Sequence, residues 1–216
     1  MSQENIPDLS DLYSAVICDA LDQAGYRRQA LGSHFTDYTG SGHVIGRAKT
    51  TLWVEMYHED ENPYDLELEA VDSCESDELL VCAAGGSHRS GIWGELLTTA
   101  AMNRGCRGVL VHGAIRDIGK MREMQFPVFA TGNSPYDSQN RQRVVDLDVV
   151  VEIDGVTIQP RDLIFGDEDG IVVIPQQVEN EVLRLAREKV NAENESRDAI
   201  RNGMKAAEAY RKYGVL

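Results

Sequence analysis

The stretch from Gly94 to Asp117, which reads GELLTTAAMNRGCRGVLVHGAIRD, limits the possible folds more than any other part of the chain. Its first half has apolar residues at helical spacing, and Gly105 stands where a glycine often ends a helix, so we predict a helix over Gly94–Arg104. The short apolar run Val109–Val111 then predicts a buried strand. Another apolar stretch, Leu79–Ala84, predicts a strand before the helix. This alternation of strands and helices predicts an α/β fold.

The predicted elements bring polar residues to one edge of the sheet. Arg116 and Asp117 follow the second strand past its carboxyl end, which is the edge where α/β folds bind their ligands. The predicted loop Gly85–Ser87 follows the preceding strand, ahead of the helix. We therefore expect the two loops to face one pocket.

The residue types predict an anion site in this pocket. The first N–H groups of a helix have no partner within it and lie at the positive end of its dipole, so the amides of Leu96 and Leu97 suit a carboxylate or phosphate. Arg116 offers a planar guanidinium that pairs bidentately with the same groups. We expect the substrate-binding residues to be Gly94, Glu95, Leu96, Leu97 and Arg116.

Two acidic residues predict a metal ion in the same pocket. Asp117 and Glu95 supply hard oxygen ligands that Mg²⁺ or Mn²⁺ accepts. An ion held by one or two carboxylates keeps open positions for substrate, polarises a carbonyl and stabilises a developing enolate. Taken singly, Arg116–Asp117 is typical of a surface ion pair, and Glu95 of a favourable acid in the first turn of a helix. Their joint placement favours a binding pocket.

The same residues resemble a known family. Glu95 is followed, after twenty residues, by Arg116 and Asp117. This chain is similar here to the family that contains the 4-hydroxy-4-methyl-2-oxoglutarate/4-carboxy-4-hydroxy-2-oxoadipate aldolases and the regulator of ribonuclease activity A. Further matching stretches are SAVICDAL (14–21), FPVFA (126–130), GVTIQPRDLIFGDEDGIVVIP (155–175) and ENESR (193–197), so the resemblance covers the chain from about Leu9 onwards. One departure is Glu95, since the best-known aldolases have aspartate there.

The resemblance implies a fold and an activity. It implies a single domain over residues 1–216, a β/β/α sandwich of the swivelling phosphohistidine-domain type, with C-terminal helices from about residue 176. It also implies a class II, metal-dependent pyruvate aldolase that cleaves a 4-hydroxy-2-oxo acid and decarboxylates oxaloacetate through the same enolate. In that reading Arg116 and Asp117 are catalytic, and Asp117 holds the metal, with Glu95 contacting it through water.

The resemblance further implies trimers, often paired into hexamers, with active sites at subunit boundaries. Glu193 and Arg197 match the family's Glu-x-x-x-Arg pattern in the predicted C-terminal helix. Glu193 is expected to reach a neighbouring subunit's metal through water. An i,i+4 ion pair on a solvated helix is the alternative for these two residues.

Other functions stay open at this point. Family members that inhibit a ribonuclease bind that protein, and the resemblance implies that they can lack the acidic metal residues, so Glu95 and Asp117 favour catalysis here. A sugar-acid or dicarboxylate lyase with the same core is a third possibility. A Schiff-base aldolase needs a lysine in an apolar pocket, and Lys49, which enters a strand, is the one lysine whose position suits that role, so the metal-dependent route is favoured.

The amino-acid composition limits the classes of partner that the protein can bind. The formal net charge of −15 argues against nucleic acid as a partner, because phosphate binding demands basic patches. Eleven acidic residues and no lysine or arginine lie between Thr51 and His88, which favours a solvated acidic surface. No apolar run approaches a membrane span, and the four cysteines have no CxxC spacing. We therefore expect a cytoplasmic protein with reduced thiols and no membrane partner.

The remaining patterns predict further elements. Ser10 is the expected cap of a first helix that ends at Gly25. Asn62–Pro63 are expected to begin a second helix with Tyr64, Leu68 and Val71 inward. A long helix is expected from Gln176 to about Asn202. Further predicted strands are Val128–Thr131, Val144–Ile153, Val156–Gln159, Leu163–Phe165 and Ile171–Ile174, with hairpin turns at Asp154–Gly155 and Asp169–Gly170.

Two weaker motifs predict no site. The glycine-rich segment Gly40–Gly46 does not have GxGxxG spacing, so a nucleotide site there is not expected. The five histidines show no paired ligand spacing. His88 is expected in a pocket-facing loop without a role, and His112 is expected to be a satisfied core residue.

Overall fold

The computed structural model describes residues 6–215, which are built around one eight-stranded mixed sheet. The strands in chain order are β1 (Thr36–Asp37), β2 (Val44–Glu55), β3 (Glu78–Trp93), β4 (Val109–Ile115), β5 (Val128–Asn133), β6 (Gln142–Leu147), β7 (Val151–Ile153), β8 (Val156–Ile158), β9 (Leu163–Gly166) and β10 (Ile171–Ile174). The order in the main sheet is β1-β5-β4-β3-β2-β9-β10, with β6 also paired to β2, whereas β7 and β8 form a separate hairpin.

The parallel part of the sheet positions the site. The helices are α1 (Ser14–Gln23), α2 (Asp65–Asp72), α3 (Glu95–Arg104), α4 (Ile118–Met124), α5 (Glu179–Arg201) and α6 (Ala206–Tyr213), with a 3₁₀ turn at Gln176–Val178. Strands β2 to β5 run parallel to one another, and α2, α3 and α4 connect them in turn. Parallel strands need such crossovers, so the strand–helix alternation in the sequence decides this half of the fold.

The two faces of the sheet are covered by different elements. Alternate side chains of a strand point to opposite faces. Leu80 and Cys82 of β3 therefore pack under α2, α3 and α4. Leu79 and Val81 pack with the β7–β8 hairpin on the other face. The result is a layered β/β/α arrangement, which confirms the predicted fold class.

A third apolar cluster lies at the β9–β10 end. Ile17 and Leu21 of α1 pack there with Val182 of α5 against Phe165 and Val172. The first and last large helices are therefore neighbours. No helix in the described part of the chain is long and apolar enough to cross a membrane.

The predicted loop at Gly85–Ser87 is wrong. Strand β3 continues through it to Trp93, while its register with β4 shifts in three places. Gly85 and Gly86 have φ of 62° and 71°, conformations that glycine adopts without a steric penalty. Such bulges bend a strand without ending it. As a result, only Gly94 separates β3 from the start of α3.

The starts of the first two helices also differ from the prediction. Helix α1 begins at Ser14, because the carboxylate of Asp167 accepts hydrogen bonds from the Ser14 amide at 2.7 Å and hydroxyl at 2.6 Å. Ser10 is therefore not the cap. Helix α2 begins at Asp65, and its buried side chains include Glu67, whereas Leu68 is 50% exposed. The inward position predicted for Leu68 is wrong.

Other predictions stand or need a small change. Gly105 ends α3 with φ of 79°, as predicted. Asp154 and Gly155 form the β7–β8 turn with φ of 54° and 78°, which also confirms the prediction. The strand predicted over Val144–Ile153 is split into β6 and β7, because the chain turns at Asp148 with φ of 50°.

Candidate functional site

A cleft of about 310 Å³ opens between α2, the start of α3 and the β4–α4 turn. We call it the Asp117 cleft. Five of the residues predicted to form the site line it: Gly94, Leu96, Leu97, Arg116 and Asp117. It is also lined by four polar residues that were not selected from the sequence: Tyr64, Glu67, Asp137 and Ser138.

Asp117 is placed by the junction of β4 and α4. It has φ of 57°, in the left-handed region, and it directly precedes the first residue of α4. Its Oδ2 accepts a hydrogen bond from the Glu95 amide at 3.3 Å. The carboxylate therefore lies at the positive end of α3, which stabilises its charge.

Gly94 leaves the space that this carboxylate occupies. A Cβ at Gly94 would lie 2.7 Å from Asp117 Oδ2 and 3.2 Å from Arg116 Cγ. Any other residue would thus push the Asp117 and Arg116 side chains away. The first intrahelical bond of α3 runs from the Thr98 amide to the Gly94 carbonyl at 3.0 Å. The amide groups ahead of it, at Leu96 and Leu97, belong to the helix turn that lines the cleft.

Glu95 is turned differently from Asp117. Its Oε1 accepts a hydrogen bond from Thr99 at 3.2 Å, and its Oε2 lies 3.9 Å from Lys120 Nζ. Glu95 thus touches Asp117 through its backbone amide, and its carboxylate is not part of the cleft lining. A metal contact of Glu95 through water stays a prediction.

Arg116 is held by a carboxylate that the sequence analysis overlooked. Its Nη1 lies 2.8 Å from Asp137 Oδ2, and its Nε lies 3.9 Å from Asp117 Oδ2. Tyr64 donates a hydrogen bond to Asp137 at 2.7 Å. Burial alone would raise the pKa of Asp137, but hydrogen bonds from the Gln139 amide and Tyr64, with the Arg116 charge, outweigh it and lower that pKa. Asp137 therefore stays ionised and orients the guanidinium.

Glu67 is a buried acid in the cleft wall. It is 8% exposed, and its Oε2 has no hydrogen-bond partner among the described residues. Burial, with the nearby charge of Asp137, raises the pKa of Glu67 to about 8. Glu67 belongs to the acidic stretch that we predicted to be a solvated surface, and that prediction is wrong for this residue. Its spacing of three and four residues from Ala70 and Val71, which share its buried face, was the available signal.

The surroundings of Asp117 fit a divalent cation of the magnesium class. The side chain is 44% exposed, and the Glu95 amide is its hydrogen-bond donor. The lack of a Cβ at Gly94 keeps the space around Oδ2 open. A carboxylate with accessible oxygens is the ligand that Mg²⁺ and Mn²⁺ use in proteins.

Glu193 lies away from the cleft within its own chain. It is on α5, where Tyr13 donates a hydrogen bond to it and Lys189 and Arg197 each lie 4.0 Å from its carboxylate. Burial, and the hydrogen bond to Glu193, raise the pKa of Tyr13 to about 12. A role in a neighbouring subunit stays a prediction. Lys49 pairs with Asp148 at 3.2 Å and does not line the cleft.

Two histidines meet although their sequence spacing gives no sign of it. His34 and His112 lie around Asp154, in a group that we call the histidine cluster. His112 is not the satisfied core residue that we expected, since its buried Nδ1 has no hydrogen-bond partner in the part of the chain that the structure describes. Burial lowers its pKa. His88 lies elsewhere, 3.4 Å from the Thr131 hydroxyl.

The fold and the Asp117 cleft together define a class: a layered α/β protein with an Arg–Asp pair at the start of a helix. The family model described as RraA-like (Aldolase/RraA) matches residues 14–173. The chain therefore belongs to the RraA-like family.

Individual proteins are similar to this chain. Protein DlpA of Legionella pneumophila is 30% identical over 86% of this chain, and the chain spans 31% of that protein's length. A Halalkalibacterium halodurans protein named “Putative 4-hydroxy-4-methyl-2-oxoglutarate aldolase” is 35% identical over 66% of this chain and 68% of its own. The structure of Streptomyces coelicolor RraAS2, described as an unusual member of the RNase ES inhibitor RraA family, is 30% identical with a TM-score of 0.77, covering 91% of this chain and 99% of that one.

Proposed function

We propose that this protein is a divalent-metal-dependent lyase that cleaves a carbon–carbon bond of a 4-hydroxy-2-oxo acid and releases pyruvate. One observation carries the proposal: Asp117 and Arg116 lie side by side in one cleft, against the first turn of α3. That pairing offers a cation site beside an anion site, which suits an α-oxo carboxylate. The name of the Halalkalibacterium halodurans relative supports the same reaction.

Both groups of the substrate's pyruvoyl end, the carboxylate and the 2-oxo carbonyl, have a matching partner in the cleft. The guanidinium of Arg116, held by Asp137, and the amides of Leu96 and Leu97 bind the carboxylate. A divalent ion on Asp117, when bound, polarises the 2-oxo carbonyl and stabilises negative charge on its oxygen. Asp137 is a poor base for the proton of the substrate's 4-hydroxyl, because the pKa of Asp137 is lowered.

Glu67 is our candidate for the proton donor. In retro-aldol cleavage the proton of the 4-hydroxyl passes to water and the electron pair of that O–H bond forms the C4 carbonyl of the second product. The C3–C4 bond breaks at the same time, and its electron pair forms the pyruvate enolate. The C3 carbon of that enolate then needs a proton. Glu67 lines the cleft with an unpartnered oxygen, and with a pKa of about 8 it is protonated at neutral pH. After donation it regains a proton from solvent, so the cycle balances.

Oxaloacetate decarboxylation follows from the same groups. Loss of carbon dioxide leaves the same pyruvate enolate, so Arg116, Asp117 and Glu67 would serve unchanged. The group attached to the pyruvoyl end decides the true substrate, and a sugar-acid or dicarboxylate lyase would differ only there.

The test measures pyruvate release. Purified protein is stripped of metal with a chelator and assayed with several 4-hydroxy-2-oxo acids and with oxaloacetate, with and without Mg²⁺ or Mn²⁺. We expect turnover of at least one substrate that depends on the added metal. If no substrate shows metal-stimulated turnover, the lyase proposal fails.

Ribonuclease binding is a second candidate, because RraAS2 is similar over 91% of this chain and is described as belonging to a family of RNase inhibitors. A ribonuclease of the same organism that is captured equally by wild type and Asp117→Ala would favour this candidate, provided that turnover is absent.

We also propose a homotrimer, or a hexamer made of two trimers, in which Glu193 of one subunit serves the cleft of the next. Its support is the Glu193–Arg197 pattern on α5, and mixed oligomers of Asp117→Asn and Glu193→Ala subunits test it.

A further inference from the structure

The histidine cluster joins three segments that are far apart in the sequence. His34 lies in the segment before β1, His112 is on β4, and Asp154 is at the turn between β7 and β8. Leu110 and His112 are two residues apart on β4, so their side chains point to the same face of the sheet. Leu110 packs with the β7–β8 hairpin, and His112 contacts Asp154 at the hairpin turn. The cluster is therefore on the face of the sheet opposite to α2, α3 and α4.

The distances in the cluster are too long for good hydrogen bonds. His34 Nε2 lies 3.4 Å from Asp154 Oδ2, and His112 Nε2 lies 3.7 Å from Asp154 Oδ1. An N–H···O hydrogen bond spans about 2.7 to 3.2 Å. Zinc bonds of about 2.0 to 2.1 Å place the ligand atoms of a tetrahedral site roughly 3.3 to 3.5 Å apart. One ligand atom from each residue lies within 4.8 Å of the other two, so small side-chain movements would complete the site.

Two glycines make room for the rings. A Cβ at Gly32 would lie 2.6 Å from the His34 ring, and one at Gly86 would lie 3.1 Å from His112 Nε2. The Gly32 amide also donates a hydrogen bond to Asp154 Oδ2 at 2.9 Å, which holds the carboxylate in place. The ligand atoms are thus positioned by the backbone around them.

We propose that His34, His112 and Asp154 bind a first-row transition-metal ion of the zinc type. Two imidazole nitrogens and one carboxylate oxygen suit Zn²⁺ and related ions, whereas Mg²⁺ prefers oxygen ligands alone. Three protein ligands leave a fourth position for water. The site is distinct from the Asp117 cleft and does not depend on the proposed lyase activity.

Binding there would link the β7–β8 hairpin to the sheet. The ion would connect the segment that carries His34, strand β4 and the hairpin turn. A ligand that binds the folded state alone stabilises it, so the metal should raise the melting temperature.

The test is zinc titration of the metal-free full-length protein by calorimetry, with Co²⁺ absorption as a second probe of the ligand geometry. We expect one tight equivalent in wild type. His34→Ala and Asp154→Asn should each weaken it at least tenfold and remove the zinc-dependent rise in melting temperature. Asp154→Asn suits this purpose because asparagine tolerates the φ of 54° and can still accept the Gly32 hydrogen bond.

Three controls separate this site from others. His43→Ala removes an exposed histidine outside the cluster, and Asp117→Asn alters the cleft. Cys74→Ser removes a buried thiol. All three should bind zinc as wild type does. No zinc binding by wild type at micromolar concentration, unchanged affinity in both cluster variants, or loss in Cys74→Ser alone would overturn the proposal.

Discussion

Strand β4 carries two polar sites that were unequally visible in the sequence. Past its end, Arg116 and Asp117 stand next to each other in the chain, with Gly94 at the start of the preceding helix. In the middle of the strand, His112 lies close to His34 and Asp154, which are far away in the sequence, one before β4 and the other after it. The first site is a local motif, and the second exists only after the sheet and hairpin have packed.

The difference concerns chemistry as well as visibility. The Asp117 cleft combines a carboxylate, a guanidinium and helix amides, which bind a hard cation and an anion. The histidine cluster offers nitrogen ligands, which suit a transition metal. A substitution in one site should therefore weaken ligand binding at that site and leave ligand binding at the other site unchanged.

The largest effect should come from Asp117→Asn. We expect a loss of at least about 10³-fold in metal-dependent turnover, because the variant lacks the charged metal ligand. Asparagine tolerates the φ of 57°, so the melting temperature should change little. Steady-state kinetics and thermal unfolding measure the two effects.

The same variant tests the separation of the two sites. Zinc binding by the histidine cluster should be unchanged in Asp117→Asn, and lyase turnover should be unchanged in His34→Ala. Wild-type turnover in Asp117→Asn would show that the reaction occurs elsewhere in the molecule.

Arg116→Lys should be nearly as damaging. An ammonium group cannot reproduce the bidentate fork, and it would also lose part of the contact with Asp137. We expect kcat/KM for the oxo acid to fall about 10² to 10³-fold, by analogy with the removal of one stabilising donor. Arg122→Lys, which lies on α4 outside the cleft lining, is the matched control and should keep its activity.

Glu67→Gln tests the proposed proton donor. General acid catalysis contributes about 10² to 10⁴-fold, so we expect kcat to fall by roughly 10² while KM changes little. Glu69→Gln, an exposed neighbour on α2, should be unaffected. An unchanged kcat in Glu67→Gln would rule out the acid role and leave the metal and anion sites standing.

The same substitution should alter the pH dependence of stability. The pKa of Glu67 is raised from 4.5 to about 8 in the folded protein, so the folded state binds more protons than the unfolded state between these values. The free energy of unfolding therefore falls as pH rises through this window. Glu67→Gln removes that fall. Between pH 5 and pH 9, the free energy of unfolding of Glu67→Gln relative to wild type should therefore increase by roughly 4 kcal/mol. Denaturant unfolding at both pH values measures this, and an equal change in the free energy of unfolding of the two proteins would contradict it.

Local signals account for what the sequence could predict. The apolar runs, the C-terminal glycine of α3 and the turn at Asp154–Gly155 each depend on neighbours in the chain. The bulged half of β3 could not be predicted, since Gly85 and Gly86 resemble a loop unless β4 is present to pair with the strand. The start of α1 was missed for the same reason, because its cap, Asp167, is distant in sequence.

The residues of the Asp117 cleft could likewise be predicted only where they are close together in the sequence. Arg116, Asp117 and the first turn of α3 could be selected because they are close in sequence and placed by one helix and one strand. Asp137 lies in the loop after β5, and Tyr64 lies directly before α2. They meet in the cleft only in the folded protein, and no local sequence pattern links them to each other or to Arg116. Glu67 was hidden among ten other acids, although its helical spacing from Ala70 marked it as inward.

The smallest expected effect is a partial recovery of turnover in mixed oligomers, which tests whether a residue of a neighbouring subunit belongs to the Asp117 cleft. If Glu193 serves a neighbouring subunit's cleft, Asp117→Asn and Glu193→Ala are each inactive, but mixed oligomers contain some boundaries with both groups intact. We expect partial recovery of turnover after subunit exchange, in proportion to those boundaries. Glu195→Ala, an exposed acid on the same helix, is the control and should keep full activity alone. A fully active monomer by light scattering, or no recovery although mixed oligomers form, would assign Glu193 to the contacts with Tyr13 and Arg197 within its own chain.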